Sequence, residues 1–137
     1  MRNNLTYSNI LNISKQLEND LVNLDFESLA IHESVKSYYR FDLSKIEYVS
    51  ECNAYILFHL IKDSSKKVGE QIIIDHGAGL GFFSFLIKRM GLQCICHDIS
   101  SDYVEGIKVI GNTLNINPDH FITGDTDALI EYCKRII

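Results

Sequence analysis

Residues 72–83 read IIIDHGAGLGFF, and no other stretch restricts the fold of this chain as tightly. A β-branched run enters it, glycines stand at 77, 79 and 81, and an apolar run leaves it. The entering run, QIIID at 71–75, is apolar at successive positions, which predicts a short strand buried on both faces. The leaving run, FFSFLIKRM, predicts a helix that Gly91 closes. Glycine between strand and helix lets the backbone turn sharply and come to contact distance of another group.

The alternation continues downstream. QCICHD at 93–98 reads as a second strand, and SSDYVEGIKVIGNTLNI as a serine-capped helix with Val104, Ile107, Ile110 and Leu114 facing inward. Pro118 ends that helix, HFITGD is a third strand, and TDALIEYCKRII begins a further helix. Strands and helices at this spacing predict an α/β fold with a parallel, right-handed sheet. In such sheets ligands gather at the carboxyl ends of the strands, where the glycines fall. The helix N-terminus near Phe82 points unpaired N–H groups at the same place.

Before Gln71 the period is helical. Leu5, Ile10, Ile13, Leu17, Leu21 and Leu24 form one stripe. Phe26, Leu29, Ile31 and Val35 predict a second helix from about Glu27 to Tyr39. SKIE at 44–47 has capping-box form, Ser44 with Glu47, and opens a third helix carrying Ile46, Val49, Ile56, Leu57, Leu60 and Ile61. The charged stretch KDSSKK at 62–67 reads as a solvated loop. The expected organisation is a helical cap over 1–68 and a strand–helix region over 69–137.

A net charge of −5 gives no basic field for nucleic acid or an acidic membrane surface. No apolar run reaches the roughly 18 residues of a membrane span, and MRNNLTYSNI lacks a signal-peptide core. The four scattered cysteines suit a reducing compartment, so a cytoplasmic protein is expected. In CICHD, alternation sets Cys94, Cys96 and Asp98 on one side of the strand and His97 on the other. No further ligands complete a zinc set, so these read as core cysteines and no metal is expected. His76 reads as a packing or surface histidine.

The glycine spacing separates cofactor classes. A dinucleotide fingerprint, G-x-G-x-x-G, would place its third glycine where Phe82 stands, whereas here it comes at Gly81. Asp75 precedes Gly77 by two, and a carboxylate there repels a pyrophosphate but suits a cationic centre. Asp98, closing the second strand, is a candidate reader of ribose hydroxyls. Its other reading is a cap for the next helix, a role for which Ser100 and Ser101 compete.

IIIDHGAGLGFFS resembles the first motif of class I S-adenosylmethionine-dependent methyltransferases. CICHDIS is similar to that family's second strand with its acidic end, and FITGDTDAL to the third strand and following turn. The resemblance spans roughly residues 70–130. It implies the first half of a doubly wound, Rossmann-like sheet that binds S-adenosyl-L-methionine. Gly77 and Gly79 would line the methionine part, and Gly81 would let the helix pack closely. Asp75 would face the cofactor's amino group and Asp98 would accept both ribose hydroxyls. Ile99 would lie on an adenine face, while Asp125 would take the adenine amino group and Thr126 add a backbone contact. Asp127 is the alternative to Asp125.

The family's acceptor-binding residues follow a fourth strand, for which this chain carries no motif. No catalytic residue or methyl acceptor can therefore be assigned, and the chain alone is expected to be inactive. The N-terminal helices resemble the cap that shields the cofactor, from which Tyr38, Tyr39 and Arg40 could reach its carboxylate. The uncovered side of the first strand calls for self-association, a partner chain or the cap itself. A non-catalytic cofactor-binding module and a NAD-binding fragment are the competing functions.

Overall fold

The computed structural model describes residues 5–136; residues 1–4 and Ile137, at the two ends of the expected regions, lie outside them. Helix α1 (Tyr7–Asn23) starts at Thr6, whose hydroxyl accepts the Asn9 N–H at 3.1 Å. Its Ile10, Ser14, Leu17 and Leu21 are buried, and so are Ser50, Ala54, Leu57 and Ile61 of α3 (Ile46–Asp63). Both sets step four, three, four, the spacing that keeps one stripe facing a partner helix. The pair runs antiparallel, since Tyr7 meets Tyr55 and Phe58 while Ser14 meets Ser50. The Ser14 hydroxyl donates to the Ser50 carbonyl at 2.8 Å, so the polar contact inside this seam is satisfied.

Helix α2 (Glu33–Leu43) begins later than the apolar spacing predicts. Phe26–Ser28 form a 3₁₀ turn that buries Phe26 against Tyr39, ring centroids 4.2 Å apart. Chain direction then resets, and His32 caps α2 by accepting the Ser34 N–H at 3.1 Å. The predicted Ser44–Glu47 capping box does not form. Ser44 closes α2 instead, donating its hydroxyl to the Phe41 carbonyl at 2.6 Å, and α3 starts from Lys45 without a side-chain cap.

Three parallel strands follow in the order β1 (Ile72–His76), β2 (Gln93–Asp98), β3 (His120–Thr123). Register pairs Asp75 with Cys96, His76 with His97, and Asp98 with Thr123. Helices α4 (Phe82–Arg89) and α5 (Ser101–Leu114) join the strands, and α6 (Thr126–Ile136) follows β3. The α/β class and parallel pairing agree with the strand–helix alternation of the sequence.

One core holds the helical and sheet parts together. Ile73, Cys94 and Cys96 on one sheet face join Phe85, Ile107, Ile110, Leu17 and Leu57 in a single apolar cluster. On the other face Ile95 and Ile122 pack under Leu129 of α6. That helix covers β2 and β3 but not β1. Ile72 and Ile74 are therefore 36% and 40% exposed, and the expectation that β1 is buried on both faces fails for want of a helix over it. Among the described residues no helix is long and apolar enough to cross a membrane.

Candidate functional site

The glycine loop, residues 77–81, sits over the carboxyl ends of β1 and β2. Gly77, Gly79 and Gly81 all take the left-handed conformation, φ 71°, 58° and 78°. A side chain would strain each of them. Gly81 meets a second constraint, because a Cβ there would lie 2.9 Å from the Ile107 side chain. Gly81 is the residue before α4, and Ile107 of α5 packs directly on it. At Gly77 a Cβ would meet nothing within 4 Å, so the backbone there faces open space.

Three bonds gather the strand ends. The Ala78 N–H donates to the His97 carbonyl at 2.8 Å, and the Gly124 N–H donates to the Asp98 carbonyl at 3.2 Å. The Gly79 N–H reaches the Asp98 carboxylate, Oδ2, at 2.9 Å. Oδ1 of Asp98 accepts the Ser100 N–H at 2.9 Å, two residues on. The helix cap itself is Ser100, whose hydroxyl accepts from Tyr103. Asp98 thus faces the glycine loop, and each carboxylate oxygen retains a second lone pair. Ile99, next in the chain, is 72% exposed at the same rim.

Asp75 sits beneath the loop rather than in it. Its Oδ2 accepts both the N–H and the hydroxyl of Ser84, at 3.1 and 2.8 Å, in the first turn of α4. Burial pushes its carboxyl up, against the pull of the Ser84 bonds. Among the described residues Oδ1 has no hydrogen-bond partner. Cys94 and Cys96 line this region from β2. Burial pushes both thiols up to about 12, which leaves them unreactive core residues.

Asp125 caps α6, its Oδ1 accepting the Ala128 N–H at 2.9 Å. Its approach to the loop is indirect, through Gly124 and the backbone of Asp98. Thr126 is the exposed first residue of α6, and Asp127 follows it on the surface. Of Tyr38, Tyr39 and Arg40, it is Tyr38 that lies against Gly79 of the loop, with Cε1 3.6 Å from where a Gly79 Cβ would lie. The Asp42 carboxylate, together with partial burial, pushes its phenol up. Tyr39 is buried and donates to the Leu21 carbonyl at 2.8 Å, while Arg40 is held by Glu27 and Glu33.

His76 and His97 form a pair that the sequence does not announce. Their rings lie within 12° of parallel, with Nδ1 to Nδ1 at 2.9 Å, and Nε2 of His97 lies 2.7 Å from the Gly124 carbonyl. A carbonyl only accepts, so Nε2 of His97 carries the proton. With that tautomer, Nδ1 of a neutral His97 accepts from the Nδ1–H of His76. The pair ties the glycine loop to the β3–α6 turn on the side away from α4. Their register across β1 and β2 was the one available signal.

Comparison with models of known families, with curated proteins and with solved structures finds no match to this chain.

Proposed function

We propose that residues 69–136 form the S-adenosyl-L-methionine-binding part of a methyltransferase, built as the first half of a doubly wound, Rossmann-like sheet. The observation that carries this reading is the placement of two carboxylates around one glycine loop. Asp75 occupies the Ser84 N–H at the start of α4, where a dinucleotide would set its pyrophosphate. A phosphate brought there would meet a buried carboxylate instead. Asp98 keeps acceptor capacity at the strand end, where two vicinal hydroxyls can bind.

When bound, the cofactor supplies an electron-poor methyl group on a sulfonium sulfur. Asp98 would hold the ribose hydroxyls and Ile99 would cover one face of the adenine. Oδ2 of Asp125, which its cap bond leaves free, would accept the adenine amino group beside the Thr126 backbone. Oδ1 of Asp75, which Ser84 leaves unbonded, would attract the cofactor's ammonium, and the backbone at Gly77 and Gly79 would receive its methionine chain. Tyr38 stands over Gly79 as the cap's contribution. The acceptor and the residues that act on it are not assigned.

Calorimetric titration of the chain with S-adenosylhomocysteine and with NAD tests the reading. Tighter binding of the adenosyl ligand is expected. Tighter binding of NAD would reverse the assignment.

A further inference from the structure

His97 is a costly residue for its position. It lies in the middle strand, 3% exposed, beside Ile122 on the face that Ile95, Ile122 and Leu129 make apolar. A β-branched residue would fill that place with no polar group to satisfy, whereas a buried imidazole destabilises unless its nitrogens are bonded. Both are bonded. Nδ1 meets Nδ1 of His76 at 2.9 Å, and Nε2 donates to the Gly124 carbonyl at 2.7 Å. The bond to His76 keeps the His97 proton on Nε2, the atom that meets Gly124. The main chain of His97 is engaged as well, its carbonyl accepting the Ala78 N–H of the glycine loop at 2.8 Å. One residue therefore grips the glycine loop through its backbone and the β3–α6 turn through its side chain.

We infer that His97 is a positioning residue of the ligand site, fixing the Gly124–Thr126 turn relative to the glycine loop so that Asp125 can receive an adenine. The inference rests on the cofactor reading and adds to it a residue that touches no ligand. Asp125 is placed through Gly124, whose φ of 142° lies where glycine moves freely, so the turn has little stiffness of its own. A stiffer residue has no room there, because a Cβ would lie 2.9 Å from that of Ala128 in α6. Bonds must supply the stiffness instead. The Gly124 N–H gives one, to the Asp98 carbonyl at 3.2 Å, and His97 gives the other, shorter one at the Gly124 carbonyl. A peptide is planar, so a carbonyl held towards His97 turns the Asp125 N–H the opposite way and sets where the Asp125 side chain begins.

Calorimetry with S-adenosylhomocysteine on the full chain tests this, with His97→Leu, His97→Gln and His76→Leu beside wild type. His97→Leu removes the donor and should raise the dissociation constant about five- to tenfold, the size of one lost hydrogen bond. His97→Gln sets an amide N–H near the place of Nε2 and should recover most of the affinity, a rescue that filling the space alone would not give. His76→Leu leaves the Gly124 bond in place and should bind nearly as wild type does. Amide resonances of the ligand-free protein read the same bond without the cofactor. Those of Asp125 and Thr126 should move in His97→Leu and return towards wild type in His97→Gln. Should His97→Leu fail to fold by circular dichroism, His97→Asn replaces it, since its shorter amide stops short of Gly124. A wild-type chain that binds no adenosyl ligand would remove the cofactor reading and this assignment with it. Wild-type binding that His97→Leu leaves unchanged, or that His97→Gln loses as fully, would overturn the assignment alone. So would Asp125 and Thr126 resonances that stay in place in His97→Leu.

Discussion

At the amino end of the sheet, Asp119 uses both carboxylate oxygens within the protein. Oδ2 accepts the Cys94 N–H at 2.7 Å and the Lys88 ammonium at 2.9 Å, and Oδ1 takes Lys88 at 3.1 Å. Lys88 donates in addition to the Leu92 carbonyl. At the carboxyl end, Asp75 and Asp98 are more buried than Asp119, yet they accept only from Ser84, Gly79 and Ser100, and among the described residues no lysine or arginine pairs with either. Buried carboxylates are normally paired with a cation. The amino end is a clamp closed by a lysine, and the carboxyl end gathers two carboxylates without one around a glycine loop. That contrast locates the candidate site more firmly than any one motif.

The most disruptive way to break the contrast is to damage the loop itself. Gly81→Ala should destabilise the fold by about 2–5 kcal/mol, from left-handed strain together with overpacking on Ile107. Gly77→Ala meets open space and should cost only about 1–2 kcal/mol of backbone strain. Urea unfolding of the two variants measures the difference, and equal costs would mean that α4 and α5 do not close on Gly81.

Asp98→Ala should weaken adenosyl-ligand binding by roughly 2–3 kcal/mol, because a charged acceptor of two hydroxyls is lost. Asp98→Asn should be milder, since the amide keeps one acceptor. Asp119→Asn is the counterpart at the clamp. It should cost about 1–2 kcal/mol of stability, with the Lys88 pair weakened, and leave ligand affinity unchanged. A loss of affinity in Asp119→Asn would dissolve the distinction between the two ends.

Acid titration of stability sharpens the comparison with the smallest effect. Burial works against ionisation of Asp119, but the Cys94 N–H and Lys88 outweigh it and hold its carboxyl low. Its contribution is therefore complete above the ordinary aspartate range and is lost as pH falls through the lowered value. Asp75 is raised, mainly by burial, so it costs stability as pH rises from the ordinary value through the raised one. Relative to wild type, Asp119→Asn should therefore recover on acidification, whereas any advantage of Asp75→Asn at neutral pH should fade. Unfolding midpoints measured from neutral to acid pH read both slopes.

Much of this architecture is legible in residue order, because local patterns decide it. β-branched runs, a glycine loop and the Ser100 cap each act within a few residues, and the α/β alternation follows from them. Failures come where distant packing decides. QIIID looks buried on both sides, but only a helix crossing β1 could bury Ile72 and Ile74, and α6 lies over β2 and β3. Ser44 carries the letters of a capping box, yet the Phe41 carbonyl at the end of α2 claims its hydroxyl. The sequence marks Asp98 and the glycines for the carboxyl end. It does not reveal that Asp75 turns onto Ser84, that Asp125 caps α6, or that His76 finds His97 21 positions away. Each of those depends on which neighbour an acceptor meets once the strands are in register.

The central claim is that the carboxyl end of the sheet, not the clamp beneath it, is the ligand site for an adenosyl cofactor. Backbone amide resonances recorded during addition of S-adenosylhomocysteine test it most directly. The account predicts shifts concentrated at Gly77, Gly79, Asp98, Ile99 and Thr126, with Cys94 and Asp119 unmoved. Saturating ligand that leaves the glycine loop unshifted, or that moves the clamp instead, would contradict it.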